Sequence, residues 1–289
     1  MSLSTPIPLT QFGILTISGS EAKKLLQGQI TIDLDKVTDS HSIHGAMCNI
    51  KGRVISSFIV SKSINLKSDI WLIMLKDSIA TSIKNLEKFV PFYQVVITDI
   101  SDQWALSGLN DLDLEKISRN KADRNINTLR TKEWMSIRSL NGSNILISKD
   151  YHYNINKDLD SLKEWDHLNI VAHNAEVNFN NSEIYTPHEL NYHLNERVDF
   201  NKGCYAGQEI VARMQYRSKS FPTLYNAISK DSNLAPNMTI INSTNKKLGS
   251  IISLNTTKEK TTALVTLKKF SENESITIKE TGTKLIINK

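Results

Sequence analysis

The sequence has few cysteines and no long hydrophobic stretch. Only Cys48 and Cys204 occur in 289 residues, which allows one disulfide at most and does not resemble the framework of a small secreted domain. Without a CxxC pair or a histidine cluster, the chain lacks the ligand pattern of a zinc or iron–sulfur site. No apolar run approaches the roughly 18 residues that cross a membrane, and no signal-peptide pattern precedes the first strand. These absences predict a cytoplasmic protein with free thiols, no metal of its own and no membrane contact.

A strong excess of one charge is also missing. The formal net charge is +5, and 39% of the residues are hydrophobic, which suits a globular chain of two or three domains. The basic residues are spread along the chain, with one loose cluster at Lys121, Arg124, Arg130, Lys132 and Arg138, and no aromatic RNA-binding signature lies among them. We interpret this cluster as a solvated surface, so direct contact with RNA is a less favoured hypothesis.

Short strand and helix patterns alternate through the first 150 residues. A strand at 12–17 precedes a helix for which Ser18 and Glu21 have capping-box spacing, and a second extended segment follows at 30–34. A hairpin is predicted to turn at Lys51 and Gly52, with Cys48 as a buried filler. Further strands are predicted at 54–61, 70–75, 95–99, 104–108, 133–138 and 144–148, and helices at 78–89 and 112–121. This mixture predicts an α+β fold.

After Arg217 the pattern changes to short strands without a helix. Pro222 and Pro236 interrupt this stretch. Strands are predicted at 224–228, 238–241, 249–254, 262–267 and 275–279. Short strands at such intervals are typical of a small β-barrel or sandwich.

The tryptophans divide into two groups. Trp71, Trp104 and Trp134 fall within predicted strands, and we interpret them as core residues. Trp165 lies instead in the polar stretch SLKEWDHLN, where a core role and a ligand-stacking role are both open.

The segment most typical of a functional site is KGCYAGQEIVAR, residues 202–213. Gly203 leaves space beside the thiol of Cys204, and Gly207 permits a sharp turn or a close backbone approach. A helix is predicted from Gln208 onward, and its N-terminal end would favour a thiolate. Local chemistry leaves two interpretations open, namely a reactive thiol and a small residue buried in a tight turn.

The motif offers cations but no histidine to activate the thiol. We therefore expect Lys202, Arg213 and backbone dipoles to lower the pKa of Cys204. His188, Glu189 and Glu209 are possible neighbours that could act as a base, although each is more typical of a surface or capping position.

Residues 202–213 resemble the KGC(Y/F)xGQE…R signature of the YgfZ-type folate-binding, tRNA-modifying proteins, which belong to the aminomethyltransferase-like superfamily. Weaker similarity extends to residues 15–34, 51–54, 164–170 and 216–219. The resemblance implies a discontinuous folate-binding domain at 1–50 and 150–218, a ferredoxin-like α+β domain at 51–149 and a C-terminal β-barrel domain at 219–289, arranged around a central cleft.

The resemblance also implies tetrahydrofolate binding and support for iron–sulfur enzymes, including those that methylthiolate tRNA. Cys204 takes the position of the family's functional cysteine, and Trp165 matches a tryptophan that lines the folate site. Phe12 stands where close relatives have tryptophan. Val171 replaces an acid and His173 a glycine; loss of that acid removes a charged hydrogen bond of about 1.5–3 kcal/mol.

The remaining residues of the signature support the motif around the cysteine. They are Lys202, Gly203, Tyr205, Gly207, Gln208, Glu209 and Arg213. Three alternative functions stay open beside the accessory role. They are a glycine-cleavage aminomethyltransferase, an RNA-binding module and a scaffold whose cysteine is structural, so enzymatic activity is left undecided.

Overall fold

The computed structural model describes residue 3 and residues 5–66, 68–118, 126–149, 159–218, 220–271 and 274–288, with side chains of the fourth helix described from residue 162 onward. The predicted helix at 112–121 and the basic cluster lie partly outside these residues. The strands are β1 Ile7–Pro8, β2 Phe12–Ser18, β3 Ile43–Cys48, β4 Val54–Lys62, β5 Ile70–Leu75, β6 Val96–Asp99, β7 Ala105–Leu109, β8 Thr128–Arg130, β9 Trp134–Arg138, β10 Asn144–Ser148, β11 Thr223–Ser229, β12 Thr239–Asn242, β13 Lys247–Thr256, β14 Thr261–Leu267, β15 Ile276–Ile278 and β16 Ile286–Asn288. The α-helices are α1 Ala22–Gln27, α2 Lys76–Leu86, α3 Asp111–Ser118, α4 Leu159–Val171 and α5 Gln208–Arg217.

The described strands form three antiparallel sheets. The first has the order β1-β7-β10-β9-β8, the second β3-β4-β5-β2-β6 and the third β15-β12-β13-β14-β11-β16. The predicted hairpin is present as β3 and β4, and Cys48 is buried in it as expected. The predicted α+β mixture is confirmed.

The first and second sheets share one core. Successive side chains of β2 point to opposite faces of its sheet. Ile14, on one face, joins the cluster that includes residues of both sheets. Leu15 and Ile17, on the other face, join the cluster that includes α1 and α2. Trp165 and Leu168 of α4 belong to the shared core. The fourth helix is therefore anchored at the sheet–sheet junction.

The third sheet curls into a half-barrel with its own apolar core. A further cluster joins it to the segment between α4 and α5, since Tyr185 and Leu190 pack with Ile252 of β13 and Leu264 of β14. This contact places β13 beside α4.

Two local predictions are wrong. Ser18 ends β2 and Gly19 has φ of 115°, so Glu21 is the N-cap of α1 without a side-chain cap bond. Its carboxylate instead accepts the backbone N–H of Gln94. The extended segment predicted at 30–34 is reduced to a single bridge from Ile30 to Met47, followed by a 3-10 turn.

The division into three domains stays a prediction. The β3–β4 hairpin and the β2–β5 pairing each join residues from both sides of the boundary drawn at residue 50. No helix in the described ranges is long and apolar enough to cross a membrane.

Candidate functional site

A cavity of about 240 Å³ opens where β2, α4 and β13 meet. Its lining consists of Gln11, Phe12, Leu75, Trp165, Asp166, Asn169, Asn174, Glu176, Asn178, Pro236, Ile252, Ser253 and Leu254. Ligand sites commonly combine an apolar lining with a few polar groups that fix orientation. Phe12 and Trp165 supply the aromatic part of this lining, so the structure brings together the two residues assigned to folate.

Trp165 belongs both to the core and to the cavity wall. Its side chain is 1% exposed, and its ring meets that of Phe12 edge to face with centroids 6.2 Å apart. A Cβ at Gly108 would lie 3.0 Å from the indole, so a larger residue at this position of β7 would require the indole to shift by a few tenths of an ångström. The indole Nε1 is buried without a hydrogen-bond partner. Such a donor beside a cavity is typical of a site that receives a water or ligand acceptor.

The carboxylate of Glu176 lines the cavity and is paired with Arg197, which is not part of the lining. Arg197 is fully buried, and its Nη2 lies 2.7 Å from Glu176 Oε1. Ser57 donates a 2.6 Å bond to the other carboxylate oxygen. Burial alone would raise the pKa of Glu176, but the Arg197 charge and these hydrogen bonds hold it below its ordinary value. Glu176 is therefore a carboxylate whose partners are already supplied by the protein.

Asp166 is the second carboxylate of the lining, and it differs from the first. It has no hydrogen bond or ion pair among the described residues. Solvent reaches it through the cavity although protein surrounds most of it, and this burial raises its pKa to about 6. The sequence reasoning missed both carboxylates. In the sequence, only the position of Asp166 next to Trp165 indicates a role for Asp166. Glu176 lies in a loop, where no helix or strand pattern indicates which way its side chain points.

The two departures from the family pattern lie at the end of α4. Val171 is 44% exposed and is not part of the cavity lining. His173 adopts a left-handed backbone with φ of 52°, a conformation that glycine accepts more readily. The histidine thus holds a left-handed turn at the position where the resemblance implies a glycine.

The signature loop at residues 202–207 lies against the end of α1. The Lys202 ammonium donates 2.7 Å bonds to the carbonyls of Gln27 and Ile30, and Ala206 N–H donates to Gly28. Burial lowers the pKa of Lys202 to about 8. The lysine therefore ties the loop to the N-terminal segment, and its charge is directed at backbone oxygens.

Glycines join the same loop to the β3–β4 turn. Gly207, the N-cap of α5, has φ of 81°, and a Cβ there would lie 2.3 Å from the Asn49 carbonyl oxygen. Gly52 faces it with φ of 68°. At Gly203, in contrast, an added Cβ would have no other atom within 4 Å. Three segments that carry the family resemblance thus converge around Gly207.

The two cysteines have opposite environments. Cys204 is exposed, and no described residue forms a hydrogen bond with its sulfur. Cys48 is buried, which raises the pKa of its thiol to about 12. Cys204 is not part of the cavity lining, so the aromatic cavity and the thiol loop are separate features. The lowered pKa expected for Cys204 stays a prediction.

Two of the three candidate bases, His188 and Glu189, are engaged by other residues. His188 is buried, with Nε2 3.1 Å from the Gln215 amide oxygen, and burial lowers its pKa. Glu189 accepts bonds from the backbone and hydroxyl of Thr186. Glu209 is exposed at the start of α5. Within the described ranges, no group of three His, Cys, Asp or Glu side chains could hold a metal ion.

The three-sheet architecture is that of the aminomethyltransferase fold. A crystal structure of the glycine cleavage system aminomethyltransferase T from Bartonella henselae matches 98% of this chain and 84% of its own, with a TM-score of 0.68. The two sequences are only 10% identical, so this likeness shows the fold alone.

Curated relatives identify the family within that fold. The chain is 34% identical over 230 residues to the tRNA-modifying protein YgfZ of Colwellia psychrerythraea, covering 76% of this chain and 70% of the relative. It is 28% identical over 273 residues to the protein of that name from Buchnera aphidicola, covering 88% and 80% respectively. No protein-family model matches the chain. The chain belongs to the YgfZ family of tRNA-modifying proteins.

Proposed function

We propose that this protein binds a folate in the cavity between α4 and β13 and supports iron–sulfur enzymes that modify tRNA. The observation that carries the folate proposal is the aromatic wall of Phe12 and Trp165, whose indole Nε1 is buried without a partner. A bicyclic ring with polar edges matches such a wall, because it can contact aromatic surface and still accept a hydrogen bond.

The residues present fit a folate. Phe12 and Trp165 would contact its ring system, and the unpaired Nε1 would meet a ring acceptor. Asp166 and Asn169 line the same cavity and would take polar ring edges. Folate supplies one-carbon units when bound. A cavity of about 240 Å³ is slightly below the roughly 300–1,000 Å³ of typical ligand pockets, so we expect the ring system inside and the rest of the ligand outside.

The accessory role is supported by the exposed thiol and by the relatives' name. Cys204 stands in the family signature and is open to solvent, as a thiol that meets another protein must be. Relatives at 34% and 28% identity are tRNA-modifying proteins. The aminomethyltransferase alternative rests on fold likeness alone, so we do not favour it.

Calorimetric titration with tetrahydrofolate tests the cavity. Trp165→Phe removes the Nε1 donor, and the loss of one hydrogen bond of about 0.5–1.5 kcal/mol predicts roughly 2- to 13-fold weaker binding. Trp134→Phe is the matched control, because Trp134 is buried in a different cluster, beside α3. No binding by wild type would remove the folate proposal, and equal affinities for wild type and Trp165→Phe would remove the assignment of folate to this cavity.

Complementation tests the thiol. In cells that lack their own family member, Cys204→Ala should fail to restore methylthiolated tRNA, measured by mass spectrometry of tRNA nucleosides. Cys48→Ala, which removes the buried thiol, should restore it. Full restoration by Cys204→Ala would assign the cysteine a structural role.

A further inference from the structure

The positive charge of the chain is concentrated at its C-terminal end. Residues 219–289 contain 11 Lys and Arg against 5 Asp and Glu, a formal charge of +6. Residues 1–218 contain 24 against 25, a formal charge of −1. The half-barrel segment thus accounts for the whole positive net charge of the chain. An even distribution of Lys and Arg along the chain would not produce this difference.

Part of this charge surrounds one recess. A cavity of about 390 Å³ lies beside the β12–β13 turn and is lined by Lys246, Lys268, Lys269 and Phe270, among others. The three lysines are exposed. None of their ammonium groups has an ion-pair partner within the described ranges. Three lysines around a concave surface, none of them in an ion pair within the described ranges, attract a polyanion.

Among the described residues that line the recess, Glu274 is the carboxylate, and neutral groups hold it. Glu274 accepts a 2.7 Å bond from the Asn242 amide and a 3.3 Å bond from the backbone N–H of Ser271. It forms no ion pair with the three lysines within the described ranges, and three positive charges against this one negative charge leave the four side chains with a formal charge of +2.

The turn that carries Lys246 is fixed by its own hydrogen bonds. Asn242 Oδ1 accepts from the backbone N–H groups of Thr244 and Lys246 and from the Thr244 hydroxyl. On the opposite side, Phe270 packs edge to face against Tyr225 with centroids 5.4 Å apart. The recess therefore offers a preformed cationic rim and an anchored aromatic ring.

From this arrangement we propose that the recess binds the phosphate backbone of an RNA strand, with an unpaired base against Phe270. Lysine pairs and an aromatic platform are the two elements by which proteins hold single-stranded nucleic acid. The choice of RNA rests on the proposed function, in which the protein serves tRNA modification. The folate cavity uses none of these residues.

Salt-dependent binding of unmodified tRNA, measured by fluorescence anisotropy, tests the proposal. The variant Lys246→Gln/Lys268→Gln/Lys269→Gln removes three phosphate contacts. Since each contact contributes about 0.7 to the logarithmic salt slope on single strands, the slope should decrease by about 2, with roughly 100-fold weaker binding at 0.1 M salt. The control Lys230→Gln/Lys258→Gln/Lys260→Gln changes the net charge equally within the same segment and should bind like wild type.

Several outcomes would overturn the proposal. They are no tRNA binding by wild type, an equal loss of affinity in both triple variants, and binding of anionic phospholipid vesicles in place of tRNA. Tetrahydrofolate titration of the same variants separates this proposal from the folate site. If tRNA binding follows the prediction while neither wild type nor any variant binds tetrahydrofolate, the RNA-binding proposal for the recess is supported and the folate proposal fails.

Discussion

Replacement of Gly207 by alanine should loosen the signature loop much more than the same change at Gly203. The two glycines lie within five residues of each other, yet their surroundings differ. At Gly207 the backbone is left-handed, and a Cβ would lie 2.3 Å from the Asn49 carbonyl oxygen and 3.1 Å from Gly52. At Gly203 the space is open.

The magnitude for Gly207→Ala follows from two contributions. A left-handed backbone costs an alanine about 1–2 kcal/mol. The loop and the β3–β4 turn must also separate by roughly 1 Å to reach ordinary contact, and overpacking of this kind costs about 1–3 kcal/mol. The free energy of unfolding should therefore fall by about 2–5 kcal/mol. Gly203→Ala should change it by less than about 0.5 kcal/mol.

Urea denaturation followed by circular dichroism measures both variants. Alkylation of the native protein adds a local readout, because Cys48 is buried and the fast reaction reports Cys204. We expect Gly207→Ala to change the alkylation rate and to lower the urea midpoint. Equal midpoints for the two variants would refute the reasoning that backbone contact selects glycine at position 207.

Two further predictions concern buried charges. Burial lowers the pKa of His44 to about 3. Below pH 6.5 the unfolded chain therefore binds a proton at His44 that the native state excludes. The contribution of His44 to the free energy of unfolding should consequently fall by about 2 kcal/mol from pH 7 to pH 5. His44→Gln should flatten that dependence in urea titrations, and an unchanged slope would contradict it. Glu176→Gln should cost about 3–5 kcal/mol because it leaves the Arg197 charge buried without a counter-charge. Glu189→Gln, beside the half-exposed Arg53, should cost less than about 1 kcal/mol, and equal costs in the two variants would exclude a special role for the buried pair.

Much of the fold could be predicted because strands and turns carry local signals. The β3–β4 hairpin follows from Gly52 between two apolar runs, and β10 lies at the residues predicted for it. The capping box failed because spacing alone cannot reveal that β2 continues to Ser18 and that Glu21 bonds to Gln94. That contact joins residues 73 apart, which a local pattern does not encode.

The candidate site shows the same limit. Phe12 and Trp165 were named from a resemblance, and the structure places both on one cavity. Glu176 was missed because its role depends on Arg197 and Ser57, which lie 21 and 119 residues away and so outside any local pattern. Lys202 was expected to act on the thiol, whereas its ammonium bonds to carbonyls more than 170 residues away. Tertiary packing sets the direction in which each side chain points, and this direction cannot be predicted from the signature alone.

The Lys202 bonds also affect the order of events during synthesis. Their partners at Gln27 and Ile30 leave the ribosome long before Lys202, across a separation of 172 to 175 residues. Closing so long a loop is entropically unfavourable and slow. The N-terminal half must therefore be in place before the loop of Cys204 can take its shape. On a nascent chain, the loop of the exposed thiol therefore depends on a contact with residues made much earlier, and not only on its own sequence.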